Sequence, residues 1–153
     1  MVRLVCVMFT RVILLLVVDT SAREKVALLI GNQRYEATEL DDLRSPEGDI
    51  RDLCQDLEKL DFKIISLVNL RHSEMMKALE VFYKMLAVPG IYALFYFSGH
   101  GFRTPEGRNY LVPVDATVPL MLDYNIHVDG IIRQMQQRYS RAFVILDCCR
   151  SVV

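Results

Sequence analysis

The sequence has almost no excess of charge of either sign, since 18 Lys and Arg residues face 19 Asp and Glu residues among 153. Without a basic stripe or a strongly basic pI, it gives no indication of nucleic-acid binding. Its 7 Gly and 5 Pro residues are too few for a fibrous repeat, and its apolar fraction of 52% is too high for a disordered chain. Four cysteines are too few for a disulfide-dense secreted scaffold. The length suits one domain with a single core.

The amino end differs in character from the rest of the chain. Arg3 precedes a mostly apolar stretch that runs to Val18, and two small residues follow shortly after, as in a secretory signal peptide. The uninterrupted apolar run 12–18 is too short to span a bilayer, so we expect no membrane association. A buried amino-terminal strand and non-native sequence from a misplaced gene start are the alternatives. We interpret residues 1–22 as an atypical hydrophobic leader before a domain at 24–153.

From Lys25 onward, predicted strands and helices alternate. Apolar runs predict four strands, at 25–31, 62–70, 91–97 and 143–146. Apolar residues at helical spacing predict three helices between them, with Ser45 and Ser73 as the N-caps of the first two and the third over 127–139. A short strand near Tyr110 is kept from the sheet centre by Pro113. This order predicts an α/β fold with a mostly parallel sheet and helices on both faces.

Two predicted strand ends carry reactive side chains, in Ser98-Gly99-His100-Gly101 and in Asp147-Cys148-Cys149-Arg150. Sites in open α/β sheets form outside the carboxyl ends of the strands. An imidazole moves protons at neutral pH and can activate a thiol as a nucleophile. His100 and Cys149 are 49 residues apart, which agrees with the roughly 50 residues of one known His/Cys peptidase signature. A loop histidine satisfied by backbone and a buried thiol are the alternatives, but the combination favours a Cys/His dyad.

The remaining candidate groups indicate no metal ion and no cofactor. His72 and His127 lie near predicted helix starts, where we expect surface residues. The cysteines form no C-x-x-C pair and the histidines show no paired spacing, which disfavours zinc. The first predicted strand is followed by neither a P-loop nor a G-x-G-x-x-G motif, which disfavours a flavodoxin-like nucleotide or phosphate binder.

Several segments resemble one family. LFYFSGHGF, YLVPVDA and VILDCCR resemble the caspase-like clan of cysteine endopeptidases, and most closely the MALT-type paracaspases. The resemblance extends from Lys25 to Arg150 and implies a caspase-like three-layer sandwich. It implies that His100 is the catalytic histidine, that Cys149 is the nucleophile, and that the backbone N–H groups of Gly101 and Cys149 form the oxyanion hole.

The two adjacent cysteines compete for the role of nucleophile. Successive side chains of a strand point to opposite faces, so only one of Cys148 and Cys149 can face His100. The family pattern has the nucleophile two residues after an aspartate, and Asp147 therefore selects Cys149. Cys148 is then expected to belong to the core.

The resemblance also implies a substrate class. Asp147 occupies the position that is acidic in paracaspases, and Asp49 matches a second acidic pocket position near the start of the first helix. An acidic pocket selects Arg or Lys at P1, because a desolvated carboxylate needs a cation beside it, and the planar guanidinium of Arg suits two carboxylates. From the residues alone, Asp49 could equally be a first-turn acid that interacts with the helix dipole.

The family pattern continues past the nucleophile, whereas this sequence stops four residues after Cys149. We therefore expect the fold to be truncated after the nucleophile strand, with that strand, 143–146, as the last one and as an edge that a second copy or a complementing small-subunit segment would cover. We expect a weakly active or inactive chain. The expected partners are protein or peptide substrates with a basic P1 residue.

The favoured function is a cysteine endopeptidase that acts in cytoplasmic signalling, with secretion as the alternative location because of the leader. The alternative function is a catalytically inactive interaction or regulatory module with the same fold.

Overall fold

The computed structural model describes residues 24–87, 90–138 and 141–148, and the backbone of residues 3–6 and 150–152. Nine strands and three α-helices lie in these ranges. In chain order they are β1 Arg3–Cys6, β2 Lys25–Gly31, α1 Pro46–Glu58, β3 Lys63–Val68, α2 His72–Met85, β4 Tyr92–Ser98, β5 Gly101–Arg103, β6 Asn109–Leu111, β7 Ile126–His127, α3 Val128–Gln136, β8 Arg141–Asp147 and β9 Arg150–Val152. No helix in the described part of the chain is both long and apolar enough to cross a membrane.

The main sheet contains five strands in the order β1-β8-β4-β2-β3, and every neighbouring pair is parallel. The strand β4 is buried along its whole length, and β2 is buried from its second residue onward. Burial on both faces explains why these two runs are continuously apolar instead of alternating.

Helices cover both faces of this sheet, as the sequence predicts. On one face, α2 and α3 pack against the even-numbered residues of β2 and the odd-numbered residues of β4. On the other face, α1 packs through Ile50 and Leu57 against Ala27, Leu29 and Tyr96. The predicted α/β sandwich, with a parallel sheet between two layers of helices, is therefore confirmed.

Two predicted N-caps differ in detail from the structure. Ser45 does precede α1, but its side chain makes no capping hydrogen bond, and Pro46 opens the helix. The prediction for α2 is wrong, since the helix begins at His72 and its N-cap is Arg71. The Glu74 carboxylate accepts a hydrogen bond from the Arg71 backbone N–H at 2.9 Å, which satisfies a donor that has no helical partner.

A second, small sheet lies beside the carboxyl end of the main one, with strand order β7-β6-β5-β9. Of its strands the sequence predicts only the one near Tyr110, observed as β6. The expectation that 143–146 is the last strand is wrong, because β9 follows it and pairs in parallel with β5.

The outer edge of β8 is also not left unpaired, contrary to expectation. Residues 3–6 pair with it in parallel, with Arg3 opposite Phe143 and Cys6 opposite Leu146. Part of the predicted leader is thus a strand of the domain, which is the alternative interpretation of this segment. The remainder of the leader, 7–22, lies outside the described residues.

Candidate active site

Three neighbouring strands end at the same place. In the parallel register, Ser98 at the end of β4 lies opposite Gly31 of β2 and opposite Asp147 of β8. The helix α1 begins close to Gly31, where an added Cβ would lie 2.9 Å from the carbonyl oxygen of Pro46. The absence of a side chain at Gly31 therefore lets the first turn of α1, which carries Asp49, approach these strand ends.

His100 follows β4 and is half-buried. Its Nε2 lies 2.7 Å from the backbone carbonyl oxygen of Asp41, and its backbone N–H donates to the Tyr35 hydroxyl at 2.7 Å. The imidazole also contacts the Tyr35 ring, with centroids 4.5 Å apart and planes tilted by 55°. Because a carbonyl oxygen can only accept, Nε2 carries a proton in this arrangement, and Nδ1 is the nitrogen left to accept one.

The glycines on either side of His100 are needed for space. A Cβ at Gly99 would lie 2.9 Å from the Tyr35 hydroxyl oxygen, and a Cβ at Gly101 would lie 3.0 Å from Sγ of Cys148. Positive φ angles among the described glycines occur at Gly90 and Gly107, so backbone freedom is not the reason here. Both glycines allow close approach of neighbouring groups to the histidine loop.

Cys149, the predicted nucleophile and the second oxyanion-hole donor, lies outside the described residues. Its flanks are described: Asp147 lies opposite Ser98, and Arg150 lies opposite Gly101. Cys148 is half-buried and packs against the main core, and its Sγ lies beside Gly101. The roles predicted for Cys149 and Gly101 stay predictions.

The two predicted pocket acids lie close together. Asp49 is half-buried, and its pKa is raised by burial and then by the charge of Asp147. Burial also raises the pKa of Asp147, which is likewise half-buried. Two hydroxyls partly offset these effects, because Ser98 donates to Asp49 and Tyr96 donates to Asp147. The arrangement is a pair of carboxylates that repel one another, and neither forms a salt bridge with another described side chain.

The comparisons with known proteins identify the family. The caspase domain model matches residues 24–152. The chain is 39% identical over 130 residues to human mucosa-associated lymphoid tissue lymphoma translocation protein 1, and equally to its mouse homolog.

The chain belongs to the caspase-domain family of cysteine peptidases. The resemblance to MALT-type paracaspases is thereby confirmed. The match covers 84% of this chain and 15% of each relative, so the chain spans a small part of the length of these curated proteins.

Sequence reasoning missed four residues of this caspase-domain site. They contact the histidine or the acids: Tyr35, Asp41, Tyr96 and Ser98. The sequence does carry a signal for Tyr96 and Ser98. These positions are two residues apart on β4, so their side chains lie on the same face of the strand, which is the face that packs against α1. No such signal exists for Asp41, which contributes its backbone carbonyl.

The other two histidines of the caspase domain are half-buried instead of lying fully at the surface. His72 stacks on Tyr124 with ring centroids 4.7 Å apart, and His127 stacks on Tyr110 at 4.9 Å. Within the described ranges, no group of three His, Cys, Asp or Glu side chains could hold a metal ion.

Proposed function

We propose that this caspase domain is a cysteine endopeptidase that cleaves after Arg, and less readily after Lys, using Cys149 and His100. The observation that carries the proposal is the pair of half-buried carboxylates, Asp49 and Asp147, next to the strand end from which His100 follows. Two adjacent carboxylates with raised pKa values create a site that a cation would stabilise.

The proposed reaction begins with transfer of the Cys149 thiol proton to Nδ1 of His100. The thiolate attacks the peptide carbonyl carbon, and the backbone N–H groups of Gly101 and Cys149 donate to the oxyanion. His100 then returns the proton to the departing amine, which leaves an acyl-enzyme. Water, deprotonated by His100, attacks the thioester, and the thiol takes the proton back as the acid departs.

The contact between Nε2 and the Asp41 carbonyl supports this assignment of proton transfer. In the neutral imidazole it fixes the proton on Nε2 and keeps the Nδ1 lone pair available. After proton transfer, the same carbonyl still accepts from the imidazolium, whose charge strengthens the hydrogen bond. The Asp41 carbonyl thus stabilises the two states of His100 that the reaction requires, the neutral imidazole with its proton on Nε2 and the imidazolium.

The specificity proposal follows from charge. A guanidinium between Asp49 and Asp147 would replace their mutual repulsion by two attractions, and its forked N–H groups can meet both carboxylates. An ammonium can bind as a point charge but lacks the fork. An acidic P1 residue would add a third negative charge, so we expect it to be rejected.

By similarity to paracaspases, we further propose that the substrates are signalling proteins in the cytoplasm. A complementing segment or a second copy would complete the substrate pocket. The first proposal concerns the substrates of the assembled protein, and the second concerns the segment or copy that would complete its pocket.

An active-site probe tests the proposal without requiring turnover. A peptide with P1 Arg and a thiol-reactive acyloxymethyl ketone should modify Cys149, as located by mass spectrometry, whereas the P1 Asp analogue should not. Cys149→Ala and His100→Ala should abolish labelling. The matched variant Cys148→Ala should retain it, because Cys148 packs against the core.

Labelling of Cys148 instead of Cys149, or equal labelling by the Asp and Arg probes, would contradict the assignment. A folded protein that no probe modifies would favour the inactive interaction module. A fluorogenic P1 Arg peptide then measures how much turnover the 153-residue chain supports.

A further inference from the structure

Tyr35 contacts both the backbone and the ring of His100, and the proposed chemistry does not use it. Its hydroxyl accepts the backbone N–H of His100 at 2.7 Å, and its ring lies 4.5 Å from the imidazole, centroid to centroid. It comes from the polar stretch after β2, 65 residues earlier in the chain. One residue therefore fixes both the backbone and the ring of the histidine.

Tyr35 is itself held firmly in place. Its backbone N–H donates to the Asp42 carboxylate at 2.9 Å. Its ring packs against the apolar cluster of the small sheet, which includes Phe102 and Val112. Burial raises the pKa of Tyr35, so its hydroxyl stays neutral across the physiological range and acts as an ordinary acceptor.

The same segment holds the other side of the imidazole. Asp41, adjacent to the residue that fixes the Tyr35 backbone, provides the carbonyl that contacts Nε2. The segment 35–42 thus closes on itself and contacts His100 at its backbone N–H, its ring and its Nε2. With Nε2 held by the Asp41 carbonyl, Nδ1 is the ring nitrogen left to accept a proton.

We propose that Tyr35 is a positioning residue, which holds the backbone and the ring of His100 so that Nε2 stays on the Asp41 carbonyl and Nδ1 is the nitrogen available for proton transfer. The orientation effect rests on the described contacts alone, whereas its kinetic consequence rests on the proposed peptidase function. Tyr35 does not transfer a proton and does not contact the substrate.

The direct test is Tyr35→Phe, which keeps the ring and removes the hydroxyl acceptor. NMR should show changed shifts for the His100 amide and ring, and amide exchange at His100 should accelerate about 2- to 10-fold, as expected for the loss of one hydrogen bond. The matched control is Tyr124→Phe, since Tyr124 also contacts a histidine, His72, with ring centroids 4.7 Å apart. That variant should alter the resonances of His72 and leave those of His100 unchanged.

Kinetics provide the second readout. In Tyr35→Phe, kcat for a P1 Arg peptide should fall about 2- to 10-fold with KM unchanged, because the acids that would bind Arg are not in contact with Tyr35. Tyr35→Leu, which also removes the ring, should lower kcat further. In the absence of measurable turnover, the rate of Cys149 alkylation by iodoacetamide should fall in the same order.

Unchanged His100 resonances in Tyr35→Phe would overturn the positioning role, whatever the activity. Altered resonances in a protein whose Cys149 no probe modifies would support the positioning role and contradict the peptidase. Should Tyr35→Phe fail to fold, Asp42→Ala is the alternative variant. Asp42 is exposed and its carboxylate accepts the hydrogen bond from the Tyr35 backbone N–H, so its removal should loosen Tyr35 and produce smaller chemical-shift changes at His100 in the same direction. No shift in that variant would equally overturn the role.

Discussion

Replacing Asp49 with Asn tests whether the two pocket acids are held together against their mutual repulsion. Asn has the same shape, and its carbonyl oxygen can still accept the hydrogen bond from Ser98, but it carries no charge. Because burial and the charge of Asp147 both raise the pKa of Asp49, the ionised carboxylate is disfavoured in the folded protein. We therefore expect Asp49→Asn to stabilise the unliganded fold at neutral pH while weakening the interaction with Arg.

Solvent limits the size of the stability change expected in Asp49→Asn. Asp49 is half-buried, so water and salt screen its interaction with Asp147, and partly exposed charge pairs contribute about 0.2–1 kcal/mol. At the upper end of that range, the melting temperature of a domain of this size would rise by about 2–4 °C. For the ligand, loss of one of two carboxylates should slow labelling by the P1 Arg probe about tenfold, or roughly 1.4 kcal/mol.

The pH dependence separates this mechanism from a general packing effect. Because the pKa of Asp49 is raised in the folded state, protonation of Asp49 stabilises the fold. Wild-type stability therefore falls relative to that of Asp49→Asn as the pH rises from 3.8, the ordinary pKa, through the raised pKa. The advantage of the variant should be complete above the raised pKa, shrink as pH falls through it, and vanish below about 3.8.

Urea unfolding of four proteins provides the assay: wild type, Asp49→Asn, Asp147→Asn and the double variant, each at pH 7 and at the lowest pH where the wild type stays folded. The helix-dipole contribution of Asp49 is equal with and without Asp147, so the double-mutant cycle isolates the repulsion between the acids. Neutralising the second acid should therefore stabilise less than neutralising the first. A less stable Asp49→Asn at pH 7, a gain independent of pH, or additive effects would refute the reasoning.

Three further changes test how the strand ends are assembled. Asn32→Ala should lower the free energy of unfolding by about 2–4 kcal/mol in urea titrations, because Asn32 is fully buried and its removal leaves the Leu70 N–H and the Val112 carbonyl without their partner. Gly31→Ala should destabilise by about 1–3 kcal/mol, since its Cβ would lie 2.9 Å from a carbonyl oxygen at the start of α1. Deleting residues 1–22 should uncover the outer edge of β8 and promote self-association, measured by sedimentation velocity; a monomer of unchanged stability would contradict the pairing of β1.

The sequence predicts the main sheet and its helices because those elements are long and regularly patterned. Both β2 and β4 are uninterrupted apolar runs, and α1 and α2 carry apolar residues at helical spacing. The small sheet is mostly unpredictable, since β5, β6 and β9 have three residues each and β7 has two. Segments so short cannot repeat the two-residue alternation of a strand, and their pairing depends on contacts between distant parts of the chain.

The site shows a similar division. His100 could be proposed because its side chain is chemically distinctive and follows a strongly predicted strand, whereas Asp49 and Asp147 could be proposed only through the resemblance to the paracaspase pattern. Tyr35 and Asp41 could not, because they lie in a polar stretch without periodicity and act through a hydroxyl on a backbone N–H and through a backbone carbonyl. A carbonyl is present at every residue, so its use leaves no trace in the sequence.

The two acids and the histidine are therefore held in place by different parts of the structure. Asp49 and Asp147 stand on α1 and β8, whose packing against the buried strand β4 fixes their separation. His100 lies between strands and is oriented by contacts with the segment 35–42. Substitutions in that segment should change the orientation of the imidazole without moving the acids. Catalysis and the choice of P1 residue should then respond separately to mutation, with loss of rate but retained preference for Arg in segment variants, and loss of preference in variants of the acids.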